Sequence, residues 1–228
     1  MKLSNHTNDC RALTLIEVLV VMAVLFVLAA MFLPMLARSG HRGSGHRIKC
    51  VNNLKQIGLA YRIFAEDHDG RFPYEQTNTL AFQNDRQAWA HYLTMSNELG
   101  SAKMLICPGD SRRIKLLARS ADPQNFSRLL AHGNDAISYF VGLDARGSLT
   151  NAMLGGDWNI GSSAPLRASI LTLQTNDSIW WTTNLNGHVI AGNVLFADGS
   201  VWQTTSAALK EVLRASPLET NRLLMPMP

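Results

Sequence analysis

One carboxylate stands out among the side chains that could do chemistry, because of where it lies. Glu17 is the only charged residue between Leu13 and Leu36, in a run that is otherwise almost entirely apolar. As an α-helix this run would extend about 36 Å, enough to cross a hydrocarbon core of about 30 Å. A lone carboxylate in such a core costs on the order of a few kcal/mol, so Glu17 predicts either a buried partner or a function.

His188 and Asp198 are a second candidate pair, separated by nine residues. One interpretation is a metal-binding or catalytic pair. The other is a histidine hydrogen-bonded in the core, with the aspartate serving a turn. Asp198 and Gly199 lie between two alternating apolar segments, which predicts a two-residue hairpin turn. Because a turn already accounts for this aspartate, we favour the structural interpretation.

Composition and motifs exclude several functional classes. The net charge is only +4, and the sequence has neither a long basic run interleaved with aromatic residues nor a zinc-ligand spacing, so we expect no nucleic-acid partner. The Gly-x-Ser-x-Gly, His-Glu-x-x-His, phosphate-loop and dinucleotide motifs are also missing from the sequence. We therefore predict that the chain is not an enzyme and has no catalytic residue.

Beyond the apolar run, periodicity predicts one long helix and then a sheet. Apolar residues at three- and four-residue steps from Ile48 to about Asp67 indicate an amphipathic helix whose apolar side packs on that sheet. Residues 85–97 predict a short helix, and the polar, basic residues 109–134 predict a loop region. Strands are expected at 136–143, 152–155, 179–183 and 189–191, then a hairpin of 194–197 with 200–203, and a last helix at 206–214. The tail ends in prolines and is expected to be loosely held.

The segment from Arg11 to Glu17, with the apolar run after it, resembles the N-terminus of a type IV prepilin or a type II secretion pseudopilin. The resemblance implies a leader peptide, residues 1–12, which a prepilin peptidase removes between Ala12 and Leu13. Leu13 would then be N-methylated. Ala12 stands where glycine is commonest in the family, and Leu13 stands where phenylalanine is commonest.

The resemblance also implies a role for Glu17. Its carboxylate would neutralise the α-amino group of residue 13 of a neighbouring subunit inside an apolar filament core, where a buried charge is tolerated once it is paired. The alternative is a glutamate that lies at the level of the lipid headgroups. Pro34 falls where many pilin helices carry a kinking proline.

Further segments resemble a set of pseudopilin-like proteins. The matches are Cys50-Val51-Asn52-Asn53-Leu54-Lys55-Gln56, the Cys-Pro segment Met104–Asp110, the Gly-Asp-x-Asn segment Gly155–Asn159, and the C-terminal spacing of His188, Asp198 and Gly199. The resemblance implies an α+β, pilin-like fold. In that fold a long N-terminal transmembrane helix packs through its second half on an antiparallel β-sheet.

This fold divides the chain into four parts. The leader, residues 1–12, precedes a transmembrane or filament-core helix at 13–36, a Gly-rich basic neck at 37–47, and a globular pseudopilin-like domain at 48–228. Glycines in the neck each cost about 1 kcal/mol in a helix relative to alanine. A flexible neck is therefore expected, although packing could hold it helical.

Removal of the leader would leave two cysteines, Cys50 and Cys107. In an exported domain such a pair predicts a disulfide, and the alternatives are two free structural thiols or a catalytic cysteine. Major pseudopilins bind Ca²⁺ in a C-terminal loop, and Asp157, Asp177 and Asp198 could supply oxygen ligands. Because no EF-hand-like spacing supports a metal, we predict no metal and no cofactor.

The apolar run could instead be a cleaved secretory signal or an ordinary single-pass anchor. A secretory signal has a shorter apolar core and a small-x-small site after it, which this run lacks. Positive charges favour a cytoplasmic C-terminal part, since Arg38, Arg42, Arg47 and Lys49 follow the run. The resemblance places that part outside, and we give the resemblance more weight.

The expected function is structural: a subunit of a type IV pilus-like or type II secretion pseudopilus-like filament. Its partners would be the prepilin peptidase, other pilin-like subunits, an assembly platform and ATPase, and lipid of the bacterial inner membrane. The subunit would be a single-pass membrane protein with a periplasmic or extracellular C-terminal domain until it enters the filament. The alternatives are a minor pilin-like adaptor that binds a surface or substrate through residues 75–135, and a membrane-anchored exported hydrolase that uses His188.

Overall fold

The computed structural model describes residues 14–37, 42–83, 86–118, 122, 124–182 and 190–227. The chain divides between Arg42 and Gly43 into two compact units, which are described separately.

The first unit contains helix α1, Leu15–Ala37. Thr14 precedes the helix, and its carbonyl accepts the first helical hydrogen bond from the amide of Val18 at 3.3 Å. The described side chains of α1 are exposed, including Leu15 and Phe26 at about four-fifths of their surface. Among the residues that the structure describes, no helix meets the length and apolarity required of a membrane span. Helix α1 continues through Pro34.

Helix α2, Arg42–Asp67, belongs to the second unit except for its first residue. The predicted periodicity is confirmed from Leu54 onward, since Leu54, Ile57, Tyr61 and Phe64 are all buried. At its start the prediction is wrong, because Ile48 is 57% exposed. Residues 42–47 of the predicted neck form the first turns of this helix, whereas residues 38–41 lie outside the described residues.

Short helices connect α2 to the sheet. They are α3 (Leu80–Gln83), α4 (Ala88–Thr94), α5 (Ser96–Leu99), α6 (Ser111–Ala118) and α7 (Ser127–His132), with 3₁₀ turns at Pro73–Glu75, Ala102–Leu105 and Gly133–Ala136. The prediction of a loop region at 109–134 is therefore wrong in part. Basic residues suggested exposure there, but Arg113 of α6 and Arg128 of α7 are buried.

Within the described residues the main sheet has seven strands, all antiparallel, in the order β4-β5-β9-β1-β2-β7-β8, and β3 pairs with β6 in a separate two-stranded sheet. The strands are β1 (Tyr139–Gly142), β2 (Met153–Asp157), β3 (Ile160–Ser162), β4 (Leu166–Arg167), β5 (Ile170–Gln174), β6 (Ile179–Trp181), β7 (Ala191–Phe196), β8 (Val201–Thr205) and β9 (Thr220–Leu224). Helix α8, Ser206–Arg214, follows β8. A hairpin forms where it is predicted, with Leu195 opposite Val201. The predicted two-residue turn is wrong: the Phe196 amide donates to the Ser200 carbonyl and the Gly199 amide donates to the Phe196 carbonyl, both at 2.9 Å, so the loop has three residues, 197–199. Gly199 alone of these three has a positive φ, 84°, which is the usual arrangement of a three-residue hairpin loop.

The expectation of a loosely held tail is wrong. Strand β9 lies between β5 and β1 near the middle of the sheet, and Leu223 and Leu224 are buried. Beyond the strand, the amide of Met225 donates to the carbonyl of Ser169 at 2.7 Å. Proline prevents only its own amide from donating, so the residues before the terminal prolines are free to pair on both sides.

The two faces of the sheet bury separate cores. On one face, Leu54 and Ile57 of α2 cluster with Leu195 of β7, and on the other, Leu209 of α8 clusters with Phe140 of β1. A Cβ atom at Gly58 would lie 2.7 Å from Leu195 Cδ1, so glycine allows α2 to approach the sheet closely. The chain is thus α+β, with an antiparallel sheet that follows N-terminal helices, as predicted.

Candidate functional site

The N-terminus of α1 is closed by a reciprocal pair of side chains, Thr14 and Glu17. Glu17 Oε2 accepts hydrogen bonds from the Thr14 amide at 2.8 Å and from Thr14 Oγ1 at 3.0 Å, and the Glu17 amide donates to Thr14 Oγ1 at 3.4 Å. This is a capping box, in which each residue satisfies a backbone amide of the other. From the sequence, Glu17 is interpreted only by its place in the apolar run, and its contact with Thr14 is not predicted. The Thr-x-x-Glu spacing, which is the usual sequence signal for a capping box, could have predicted that contact.

The capping box determines what Glu17 can do. Its carboxylate lies at the helix N-terminus, where the helix dipole favours a negative charge. In the described residues Glu17 has no basic side chain within ion-pair distance. The carboxylate can therefore still take a cation. The predicted cleavage residues, Ala12 and Leu13, lie outside the described residues, so the distance from Glu17 to a new N-terminus is not described.

In the second unit, the structure contains the predicted disulfide between Cys50 and Cys107. The two Cα atoms are 5.2 Å apart, and both residues are fully buried. The bond joins α2 to the segment before α6, and Asn53 strengthens the junction by donating to the carbonyl of Ile106 at 3.1 Å and to Tyr139 Oη at 3.3 Å. A buried disulfide offers no thiolate, so in this state neither cysteine is a nucleophile.

Asp110 holds the other end of the same segment. Its Oδ2 accepts hydrogen bonds from Arg113 Nη1 at 2.8 Å and from Ser138 Oγ and Trp158 Nε1, both at 3.0 Å. Its Oδ1 accepts from the amide of Arg113 at 3.2 Å, which caps helix α6.

The partner cation, Arg113, is also enclosed. The side chains of Arg113 and Asp110 are only 2% and 3% exposed. Arg113 Nη2 donates to the carbonyl of Pro226 at 2.6 Å, and the guanidinium carbon lies 4.9 Å from the centre of the Trp158 ring. This ion pair connects α6, the residue before β1, the segment after β2 and the C-terminal residues. No local signal in the sequence indicated Ser138 or Pro226.

Asp157 is the second buried carboxylate of this region. Its Oδ2 accepts from the amide of Asn193 at 2.9 Å and from Asn193 Nδ2 at 2.8 Å, which joins β2 to β7. One carboxylate oxygen and the sulfurs of Cys50 and Cys107 lie within 4.8 Å of one another. Thiolates are the groups that would make this trio a metal site, and the disulfide removes them.

The other predicted aspartates serve turns. Asp177 Oδ2 accepts from the amide of Gln174 at 2.7 Å, and Asp198 Oδ1 accepts from the amide of Ser200 at 2.8 Å. Among the described residues, Asp157, Asp177 and Asp198 are not brought together as a group of ligands. His188 lies outside the described residues, so its expected place as a hydrogen-bonded histidine of the core stays a prediction.

Burial also controls ionisation around this region. It raises the pKa of Tyr139 well above its ordinary value, and the nearby negative charge of Asp157 raises it further, while the hydrogen bond from Asn53 acts in the opposite direction. Tyr92, whose hydroxyl donates to the carbonyl of Phe140 at 3.2 Å, also has its pKa raised by burial. These phenols therefore remain protonated, and the polar junction holds structural elements together.

Comparison with known proteins bears on the N-terminal segment. A family model described as the prokaryotic N-terminal methylation motif matches residues 7–33, which include Ala12, Leu13, Thr14 and Glu17. No curated protein and no solved structure matches the chain significantly. This match supports a type IV prepilin-like protein.

Proposed function

We propose that this chain is a structural subunit of a type IV pilus-like or type II secretion pseudopilus-like filament. The observation that carries the proposal is the Thr14–Glu17 capping box at the head of an apolar helix, inside the segment that matches the methylation motif. A prepilin peptidase would cut between Ala12 and Leu13, and Leu13 would become N-methylated.

Before assembly, residues 13–36 would cross the bacterial inner membrane as a single span. The capping box then lowers the cost of placing Glu17 near lipid, because its carboxylate already accepts two hydrogen bonds. After extraction by the assembly platform and its ATPase, Glu17 would pair with the α-amino group of residue 13 of a neighbour. The exposed apolar side chains of α1 would be buried among neighbouring helices, and this burial would hold the filament.

The disulfide supports an exported globular domain, residues 48–228. Disulfides form and persist in oxidising compartments, so Cys50 and Cys107 fit a periplasmic or extracellular position. This favours the outside orientation over the one that the flanking positive charges suggest. The hydrolase alternative depends on His188, which lies outside the described residues, and we do not propose it.

Mass spectrometry of the N-terminus from native membranes tests the processing step. With the prepilin peptidase present, we expect a chain that begins at N-methyl-Leu13, and without it a chain that begins at Met1. A chain that begins at Met1 in both cases, or one cut beyond Pro34, would remove the proposal.

The charge of Glu17 is tested by Glu17→Gln. Glutamine keeps an acceptor for the Thr14 amide but has no negative charge. We expect Leu13 still to be the first residue, because the cleavage bond is distant from the changed group, but we expect assembled filaments to be lost in electron micrographs of sheared cells. Normal filament numbers in this variant would show that no charge pair at Glu17 is needed.

A further inference from the structure

A basic cleft lies between helix α2 and residues 101–108, entirely within the second unit. Its volume is about 510 Å³, within the range of small-ligand sites. Lys49, Asn52 and Gln56 line it from α2, and Ser101 and Lys103 line it from the other side. The apolar part of its surface includes Met104 and Pro108. Nothing in the proposed filament role uses this cleft.

The charges that line the cleft have one sign. Among its described lining residues, two are lysines and none is acidic. Within the part of the chain that the structure describes, neither Lys49 nor Lys103 has an ion-pair partner. Two uncompensated ammonium groups in a concave surface attract anions, because low-dielectric walls focus their field.

The neutral polar groups add directional hydrogen bonding. The side chains of Asn52 and Gln56 make no hydrogen bond to other described residues, so their carboxamides are available as both donors and acceptors. Together with the apolar surface of Met104 and Pro108, they suit a ligand that has hydroxyl groups as well as a C–H face.

The walls of the cleft are held at a fixed separation. Cys50, the residue after Lys49, is bonded to Cys107 on the opposite wall. Asn53 crosses the same gap by donating to the carbonyl of Ile106 at 3.1 Å. A site whose walls are already fixed loses less entropy when a ligand binds.

We propose that this cleft binds an anionic saccharide unit, carboxylated or phosphorylated. Its negative group lies between Lys49 and Lys103, its hydroxyl groups bond to Asn52 and Gln56, and its C–H face lies on Met104 and Pro108. The site would give the chain a recognition function of its own, whether or not it assembles into a filament.

Calorimetric titration of the full-length chain in a neutral detergent tests the proposal. The probes are trigalacturonate, glucose 6-phosphate, the uncharged maltotriose and inorganic phosphate. We expect at least one charged saccharide to bind at least tenfold more tightly than both maltotriose and inorganic phosphate, and its affinity to fall as salt is raised. The two charged probes distinguish a carboxylate from a phosphate as the preferred anion.

Paired variants locate the site. Lys49→Gln with Lys103→Gln should lower the affinity at least tenfold, whereas Lys55→Gln with Lys210→Gln, which removes two lysines outside the cleft, should leave it unchanged. Cys50→Ser with Cys107→Ser keeps both cleft lysines and should weaken binding by releasing the walls.

Several results would overturn the proposal. They are no saturable binding of either charged saccharide, equal binding of maltotriose or inorganic phosphate, and an equal loss in the control pair. Each is independent of N-terminal processing, so failure here leaves the proposed filament role standing, and failure of processing leaves the cleft standing.

Discussion

Two carboxylates at helix N-termini, Glu17 and Asp110, are satisfied in opposite ways. Every described hydrogen bond of the Glu17 side chain comes from Thr14, three residues away. Asp110 accepts from Arg113 in its own helix, but also from Ser138 and Trp158, 28 and 48 residues along the chain. A local arrangement can form in an isolated helix, whereas the second requires the folded domain. The carboxylate of Glu17 therefore remains able to bind a group from outside the chain, whereas that of Asp110 is fully used in contacts within the second unit.

The largest expected effect comes from Asp110→Ala. It leaves the buried Arg113 without its anion, which should cost about 3–5 kcal/mol of unfolding free energy. The neighbouring Arg112 offers a matched control, because it pairs with Asp135 at 2.5 Å on the surface. Asp135→Ala should cost less than about 1 kcal/mol. Denaturant unfolding of the full chain in detergent measures both, and equal losses would contradict the contrast between buried and exposed pairs.

Next in size is the loss of the disulfide. Cys50→Ser with Cys107→Ser should cost about 2–4 kcal/mol, because the unfolded chain regains the freedom of a long loop. Cys10→Ser, in the predicted leader, should leave the unfolding midpoint unchanged. A midpoint shift with Cys10→Ser, or none with the double variant, would show that the link between α2 and the Cys-Pro segment does not stabilise the domain.

Alkaline pH should destabilise the second unit through its buried tyrosines. Burial raises the pKa of the fully buried Tyr61, Tyr92 and Tyr139, and that of the partly buried Tyr74, above the unfolded value of about 10. Their stabilisation is fully present below pH 10 and is lost above it, by about 1.4 kcal/mol per tyrosine for each pH unit. Burial also lowers the pKa of Arg128 to about 10. That shift stabilises the folded state as the pH rises, but it involves one arginine, whereas the four tyrosines act in the opposite direction.

Tyrosinate absorbance during a pH titration of the full chain tests this expectation. We expect little ionisation until the domain unfolds cooperatively, and gradual ionisation from pH 10 in the folded protein would contradict it. Two variants separate burial from hydrogen bonding. Tyr92→Phe removes a hydrogen bond to Phe140, whereas Tyr61→Phe should be nearly neutral at pH 7, since Tyr61 Oη has no partner among the described residues.

The smallest effect is expected from Thr14→Val, and it should stay local. Loss of the hydroxyl removes one donor to Glu17 and the acceptor for the Glu17 amide, which costs about 1 kcal/mol at the start of α1. Hydrogen exchange should quicken at residues 15–17 and not in α2, and Thr14→Ser should restore protection. A lower unfolding midpoint of the domain in Thr14→Val would show that the two units are not independent.

Sequence patterns predicted the features that depend on near neighbours. The periodicity of α2 from Leu54 onward, the position of the hairpin at Asp198-Gly199 and the bounds of α8 all follow from residues within one or two turns, and the structure confirms them. The hairpin loop is one residue longer than predicted, because the pairing of the two strands sets its length. The cysteine pair was predicted from its count and context. The errors fall where distant partners decide. From the sequence, Arg113 falls in a predicted loop region, but Asp110 and Pro226 enclose it in the fold. The tail is predicted to be loosely held, but β9 pairs with both β5 and β1.

The sequence alone determined the prepilin-like segment, because a cleavage residue, a carboxylate and an apolar run at fixed spacing form a signal that lies within a few helical turns. Only the tertiary structure decided that Asp110, Asp157 and the disulfide form one buried junction, and that Lys49 and Lys103 face the same cleft. The physical reason is that burial and the low dielectric around it arise only when segments far apart in the chain pack together, and these conditions determine which polar groups must pair and which remain available to a ligand.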